Sequence, residues 1–491
     1  MKVLVTGGTG VIGNGLIPAL KLAGAERIRL LSRHALDDVS RWEGVEPYPG
    51  DITDSATVGE AAENFDVVVH VAGVEEENPP EVTFEEVNVH GTELIVSECE
   101  RAGVRKLIFI STLKANDPAT EYQRSKRKAE EIVRKFSREW VILRPSAIYG
   151  PGDRHVTTLL EMIRTFPAIP VIADGSQCIQ PVWYEDMGNA IVRAIESEDV
   201  NHVTLPLGGH RTTVRELIAQ LGEVAGKQPR LIPIPPDMAL TGASIAEFLG
   251  IDLPVGETQL RLVLQESCID GSQSNALVGI FGIEPIDLRE SLKILAQSLP
   301  EQTPDQGVGA LRRKIFSAEM NGPAVTAETL FQMIRRELPQ LMPLPFKPSP
   351  DGTISVEKGA TLTAELGVRG TIQLRVEELE PNRFTLVTIE GHPLAGAIRF
   401  LTETRPGGAL IRLEVYARPS DLPHWLAMKA GSDQLQSDMW RTTMNNIVAR
   451  SGGLIVGKVT EEEEPLDDHR GVLIEEWVER IVSARQREEE V

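Results

Sequence analysis

Met1-Lys-Val-Leu-Val-Thr-Gly-Gly-Thr-Gly-Val-Ile-Gly13 decides the architecture of the first half of this chain. Met1–Val5 is a short apolar run, and a helical pattern from Leu16 to Ala23 follows the glycines. A strand, a Gly7-x-x-Gly10-x-x-Gly13 turn and a helix make a dinucleotide site for physical reasons. Gly7 permits the tight turn, Gly10 lets the backbone approach a pyrophosphate, and Gly13 lets the helix pack close to the strand. The helix start, with Val11 and Ile12, offers free N–H groups and a positive dipole end to phosphates.

Outward from that turn, apolar strands alternate with amphipathic helices up to about residue 150. The strands are expected at Lys2–Val5, Ile28–Leu31, Val67–Val71, Lys106–Ile110 and Val141–Leu143, with helices at Gly13–Ala23, Ala56–Glu63, Phe84–Ala102 and Tyr122–Phe136. Such alternation implies βαβ units, hence an α/β, doubly wound parallel sheet covered on both faces. Ligands bind such sheets beyond the carboxyl ends of the strands, at the switch in strand order. A substrate subdomain is expected within 151–298, with helices near Thr157–Thr165, Asp186–Glu196, Thr213–Ala225 and Asp287–Ser298.

The chemistry gathers where the rule predicts. Ser111 and Thr112 end a strand, and Tyr122-Gln-Arg-Ser-Lys126 opens the next helix. Residues four apart share a helix face, so the Lys126 ammonium is expected to lower the Tyr122 pKa and to hold a cofactor ribose. Thr112 is expected to hydrogen-bond a substrate oxygen, and Tyr122 to pass the proton as hydride moves. Asn88 is positioned to orient a relay water. After the second strand comes Ser32-Arg33, where an arginine suits the 2′-phosphate of NADP and a carboxylate would suit NAD. NADP is therefore the expected cofactor, NAD the alternative.

Thr6–Gly13, Gly50-Asp51-Ile52, His70-Val71-Ala72-Gly73, Asn88-x-x-Gly91-Thr92, Ser111-Thr112, Tyr122-x-x-x-Lys126 and Arg144-Pro145-x-x-x-Tyr149-Gly150 recur in this order. Together with Pro181–Met187 they resemble the extended NAD-dependent epimerase/dehydratase branch of the short-chain dehydrogenase/reductase superfamily, over about residues 1–298. The resemblance implies Thr112, Tyr122 and Lys126 as a catalytic triad with Asn88 as fourth member. It puts Asp51 and Ile52 beside the adenine, Val71, Ala72, Gly73 and Ser111 along the cofactor, and Pro145 and Ile148 near the nicotinamide. The function implied is an oxidoreductase or epimerase acting on a small molecule. The string Ile110–Asn116 also resembles atypical members that bind cofactor without turnover, which gives a second reading as a scaffold or redox sensor. Members commonly dimerise through the two helices expected at Phe84–Ala102 and Tyr122–Phe136, and acidic Glu81, Glu85 and Glu86 would complement the basic second helix in a homodimer.

The length of 491 residues calls for two or three domains, and a net charge of −22 argues against nucleic acid or an anionic membrane as partner. No apolar run is long enough to span a membrane. Cys99, Cys178 and Cys268 lie far apart, which reads as ordinary core thiols in a reducing compartment, and the protein is expected to be cytoplasmic. His70 and His90 read as structural, and no metal spacing appears.

Past about residue 298 the pattern changes. Residues 299–312, rich in Pro and Gly, read as a linker. A strand near Lys314–Ala318 and a helix at Ala327–Leu338 come next, before a proline-rich loop. Five alternating segments (Gly359–Leu366, Gly370–Glu377, Arg383–Ile389, Gly396–Thr404, Leu410–Ala417) then form an antiparallel meander, closed by a helix over Pro423–Ala449. Phe384–Gly396 and Ala417-Arg418-Pro419 weakly resemble a START-like helix-grip family over 313–452. That arrangement implies a cavity for an apolar ligand, with Leu374, Val376, Leu386, Ile398, Ile411, Leu413 and Val415 facing Trp425, Trp440 and Ile447. Gly391-His392-Pro393 reads as a turn. The acidic stretch 453–491 reads as a partly disordered, solvated tail.

Overall fold

The computed structural model describes the whole chain apart from residues 40–41, 81, 119, 154, 166–167, 236–266, 298, 300, 349–353, 367–370, 421–432 and 490–491. The chain divides into two compact units, one built from Met1–Leu159, Ala168–Leu221 and Arg230–Ser298, the other mainly from Leu299–Val491.

In the first unit seven strands, β1 (Lys2–Thr6), β2 (Arg27–Ser32), β3 (Val45–Pro49), β4 (Val67–His70), β5 (Lys106–Ile110), β6 (Glu139–Pro145) and β7 (Val203–Leu207), form one sheet in the order 7-6-5-4-1-2-3. Every pairing is parallel. The order reverses between β1 and β4, so the crevice lies beyond Thr6 and His70. Alternation along β1 divides the core. Val3 and Val5 pack with α1 (Val11–Leu22) and α4 (Tyr184–Glu196) on one face. Leu4 packs with α2 (Gly91–Ala102) and α3 (Glu121–Val133) on the other. Glycine makes the first layer possible: a Cβ on Gly188 of α4 would lie 2.4 Å from the Gly15 carbonyl carbon in α1.

Two helices differ from expectation. The pattern over Ala56–Glu63 yields only a four-residue helix, Ser55–Val58, ended at Gly59 and followed by Glu60 and Asn64 with positive φ. The helix expected from Phe84 opens with a π-helical turn, Glu85–His90, before α2.

The second unit is an eight-stranded antiparallel sheet. Its strands are β8 (Arg312–Asn321), β9 (Phe346–Lys347), β10 (Thr361–Glu365), β11 (Thr371–Glu380), β12 (Arg383–Thr388), β13 (Leu394–Arg405), β14 (Gly408–Pro419) and β15 (Leu454–Pro465), in the order 9-10-11-12-13-14-8-15. Helices α5 (Ala327–Leu341) and α6 (Asp433–Ser451) bury Phe331, Ile334, Trp440 and Met444 against one face, with Phe316, Phe384, Phe400 and Leu413. The N-terminal part of the expected closing helix, with Trp425, lies outside the described residues.

The described part of the acidic stretch 453–491 is folded rather than disordered, although most of its side chains stay exposed. Its glutamates form β15, where Glu463 and Glu464 reach Arg312 and Arg313 of β8 at 2.6 and 3.4 Å. A 22-residue helix, α7 (Asp468–Glu489), follows and packs Val478 and Val482 onto Val387 and Ala397 on the sheet's other face. The negative run reads as a disordered tail only while its partners, some 150 residues earlier in the sequence, are unseen. The expected linker is likewise folded. Glu301 is buried and bonded to Arg375 and Arg485, and its backbone bridges Ile389. Burial raises the Glu301 carboxyl, but those two guanidiniums more than offset it and leave the pKa lowered.

A third correction concerns the cysteines. Cys178 and Cys268 form a disulfide with Cα atoms 5.7 Å apart, while Cys99 is a free buried thiol. Spacing of 90 residues in the chain hid a pair that the fold brings together through the bridge between Ile179 and Ser267.

Candidate active site

The glycine turn is shaped by steric necessity. Gly7 has φ +67°, and a Cβ there would lie 2.4 Å from the Ala72 Cα. A Cβ on Gly13 would lie 1.7 Å from the Gly8 carbonyl oxygen, so Gly13 folds the helix start onto its own loop rather than onto the strand. Gly10 is different, because its Cβ would meet nothing within 4 Å. It caps α1 without a side-chain hydrogen bond, and the first turn, Val11 and Ile12 included, carries no acidic residue. An open cradle and a bare helix N-terminus fit a pyrophosphate.

Across the switch point, Val71 and Ala72 both donate backbone N–H groups to the Thr6 carbonyl at 3.1 Å. The Thr6 hydroxyl donates to His70 Nδ1 at 2.7 Å, and His70 Nε2 donates to the Thr92 hydroxyl at 3.1 Å. The direction follows from Thr92, whose own proton goes to the Asn88 carbonyl at 2.7 Å. Asn88 then accepts from Val74 N–H at 2.8 Å and donates to the Val74 carbonyl and to Ser125 Oγ at 2.9 and 3.0 Å. Ser125 Oγ donates to the Tyr122 carbonyl at 2.7 Å. A continuous buried chain therefore runs from the glycine turn to the helix that carries Tyr122 and Lys126. His70 must be neutral to accept and donate at once, and burial, helped by the Lys126 charge, lowers its pKa to about 3.

Both amide protons and one oxygen lone pair of Asn88 are committed to Val74 and Ser125, so it clamps the segment after β4 to α3. Ser111 is engaged likewise. Its hydroxyl donates to the buried Glu130 carboxylate at 2.6 Å, which also binds Arg144 and Arg134. Burial raises the Glu130 carboxyl, but Arg144, Ser111 and Arg134 more than offset it and leave the pKa lowered. Thr112 lies two residues past the end of β5 in extended backbone, and its side chain does not cap the 3-10 turn Leu113–Asn116 that follows.

Lys126 is buried, with its Nζ 3.5 Å from where a Gly73 Cβ would stand and 4.6 Å from the Phe109 ring centre. Burial lowers its pKa to about 8 against the opposing pull of Glu75 and Glu130. Tyr122 lies half-buried beside Phe84, ring centres 5.9 Å apart. Desolvation and the Glu75 carboxylate raise its pKa well above the usual value, the reverse of the expected lowering. Glu75, Glu130 and Ser125 are given no role by the sequence reading, and Thr92 enters it only as part of the Asn88-x-x-Gly91-Thr92 motif. Ser125 stands between Tyr122 and Lys126 and Glu130 one turn beyond, so only their helix position hinted at a role.

The remaining expected cofactor residues line the carboxyl edge. Ser32 is the last residue of β2, and Arg33 follows it, exposed. Asp51 binds Thr53 in a local turn, and Ile52 packs against Gly91. Pro145 ends β6, and Ile148 pairs with Val182. On the basic helix, Lys128 reaches Glu85 of the same chain at 2.7 Å, so that charge pair is made within the monomer rather than across a dimer.

The fold of the first unit agrees with comparisons to known proteins. Residues 3–205 match the NAD dependent epimerase/dehydratase family. Ceramide reductase of Caulobacter vibrioides is 30% identical over 247 residues, covering 50% of this chain and 77% of that protein. UDP-glucose 4-epimerase of Vibrio cholerae is 27% identical, covering 48% and 79%. This chain belongs to the NAD dependent epimerase/dehydratase family through its first unit. An uncharacterized protein of Mycobacterium bovis is 24% identical over 474 residues, 91% of this chain, which spans about half that protein's length (51%). No helix among the described residues is long and apolar enough to cross a membrane.

The buried imidazole makes a stability prediction. His70 has a folded pKa of about 3 against about 6.5 when unfolded, so its neutral form stabilises the fold fully above pH 6.5. Protonation of the unfolded chain erodes that contribution as pH falls towards 3, by about 2 kcal/mol at pH 5. Urea unfolding at pH 7 and pH 5 should show this loss. His70→Asn should be less stable at pH 7 and should lose less between the two pH values; an unchanged slope would contradict a buried neutral imidazole.

Proposed function

We propose that the first unit is an NADP(H)-dependent oxidoreductase acting on a carbonyl–hydroxyl pair of a small molecule. An epimerase is the variant in which the same hydride returns to the substrate's other face. The observation that carries the reading is Lys126, buried one turn from Tyr122 at the carboxyl edge of the sheet and close to Gly73. Gly7, Gly10 and Gly13 would hold the pyrophosphate, Asp51 and Ile52 the adenine, and Lys126 the ribose. A bound nicotinamide supplies or takes up the hydride. Tyr122 gives its proton to the carbonyl oxygen in reduction and takes it back in oxidation, while the Thr112 hydroxyl holds that oxygen. A ribose against Lys126 keeps the ammonium charged, and the charged ammonium favours the phenolate that forms transiently. The similarity to ceramide reductase favours net reduction. Arg33, exposed beyond β2, supports NADP over NAD by offering a guanidinium to a 2′-phosphate.

One observation favours a second reading, a nucleotide-binding scaffold or redox sensor without turnover. The Tyr122 phenol is held up rather than lowered, and Glu75 contributes to that. The two readings separate on one variant. Tyr122→Phe should cut turnover in a carbonyl-substrate screen by about a hundredfold or more while leaving NADPH affinity nearly intact. Normal turnover in this variant would remove Tyr122 from the chemistry. Wild-type protein that binds NADPH but oxidises it with no carbonyl tested would favour the scaffold.

Cofactor choice has its own test. Arg33→Ala should weaken NADPH binding by about tenfold or more, the worth of a charged hydrogen bond, and barely change NADH binding, both read by nucleotide fluorescence. Equal losses would mean that Arg33 acts through the local structure.

A further inference from the structure

The Cys178–Cys268 disulfide joins two short pieces of backbone at the carboxyl edge of the first unit. Cys178 and Ile179 form a two-residue strand, paired on one side with Thr213 and Thr212 and bridged on the other to Ser267. Ser267 N–H donates to the Cys178 carbonyl at 2.8 Å, and Gln180 N–H donates to the Ser267 carbonyl at 3.1 Å. So few hydrogen bonds make a marginal pairing by themselves. The covalent bond between the neighbouring cysteines pins it.

Gln180 carries the effect inward. It is buried, and its side-chain oxygen accepts from Ile269 N–H at 2.7 Å while its amide nitrogen donates to the Gly209 carbonyl at 3.4 Å. Its backbone carbonyl accepts from the Ser146 hydroxyl. Two residues on, Val182 N–H donates to the Ala147 carbonyl at 2.8 Å, and Val182 and Trp183 pair with Ile148 and Tyr149. Residues 145–149 leave the end of β6 at the carboxyl edge of the sheet, the side on which a dinucleotide lies. The disulfide is therefore two hydrogen-bonded steps from that edge, from Ile269 to Gln180 and from Gln180 to Ser146. Cys268 is buried, whereas Cys178 keeps some surface, so an entering thiolate reaches the Cys178 sulfur first.

We propose that Cys178–Cys268 is a redox-controlled clamp on residues 145–149, opened and closed by dithiol–disulfide exchange. One thiolate of a dithiol reductant attacks the Cys178 sulfur, the S–S bond breaks, and Cys268 leaves as a thiolate that takes up a proton. The reductant's second thiol gives up its proton and displaces Cys178, which leaves as a thiol. Two electrons and two protons have passed to the protein, and the reductant has become a disulfide. An oxidised dithiol reverses the steps. With the bond closed, Gln180 is held between Ile269 and Ser146; with it open, that support of residues 145–149 loosens. Control of nucleotide binding by the clamp rests on the function proposed above, but the clamp itself does not.

The test compares full-length protein incubated with glutathione disulfide and with dithiothreitol, the state of each cysteine being read by alkylation and peptide mass. Amide exchange over 146–149 and 178–182 should be faster in the reduced form. NADPH should bind that form about fivefold or more weakly, the low end of coupling between sites. The double variant Cys178→Ser, Cys268→Ser should match the reduced form and ignore dithiothreitol, whereas Cys99→Ser should respond like wild type. If the double variant does not fold by its melting curve, the wild-type comparison decides alone. Cys178 and Cys268 that remain free after glutathione disulfide would overturn the proposal, as would a bond that the folded protein does not yield to dithiothreitol. It also fails if both forms exchange alike over 146–149 or bind NADPH equally tightly. Exchange that follows the redox state in a protein that binds no NADPH upholds the clamp and overturns the nucleotide reading instead.

Discussion

The first unit depends on one buried imidazole. His70 ends β4 at the point where the strand order reverses, and it can serve Thr6 and Thr92 together only as a neutral Nε2–H tautomer. Thr6 opens the glycine turn, and Thr92 fixes the Asn88 carbonyl, so a single side chain joins the two halves of the crevice. Asn88 extends the connection to Val74 and, through Ser125, to the backbone of Tyr122. Each side-chain donor of the chain is used within the protein. Such buried networks specify one arrangement and are costly to break in part. The cost here appears as a titration, because protonating His70 would remove an acceptor that Thr6 needs.

Lys126 lies beside this network without belonging to it. Its charge helps to keep His70 neutral, while burial brings its own pKa to about 8. The phenol one turn away is raised by desolvation and Glu75. A partly desolvated ammonium and a high phenol describe a site prepared for a nucleotide whose ribose hydroxyls would resolvate the lysine. The acid–base work of Tyr122 is then a property of the occupied site.

Much of this was legible in the sequence because it is local. The spacing of Gly7, Gly10 and Gly13, the apolar strands and the one-turn spacing of Tyr122 and Lys126 each report on a few adjacent residues, and all these elements form where expected. His70 also reads correctly as structural, since no nucleophile motif accompanies it. What escaped is long-range. Asn88 resembles a catalytic member by its position in the motif, which does not disclose its bonds to Val74 and Ser125. Ser111 stands next to Thr112, and nothing local discloses its bond to Glu130 on α3. The glutamates of 461–464 are a disordered tail by composition and the eighth strand of a sheet by pairing with Arg312 and Arg313. Cys178 and Cys268 met through folding across 90 residues. In each case the deciding partner lies too far along the chain for spacing to reveal it.

Amide hydrogen exchange of the full-length protein with and without NADPH tests the central claim most directly. The glycine turn, the segment after β4 and the start of α3 are joined by one hydrogen-bonded chain across the crevice where a dinucleotide would lie. NADPH should therefore slow exchange together in residues 7–13, 71–74 and 122–126. Protection confined to the glycine turn, with 71–74 and 122–126 unchanged, would contradict a nucleotide site organised through His70 and reaching Tyr122 and Lys126.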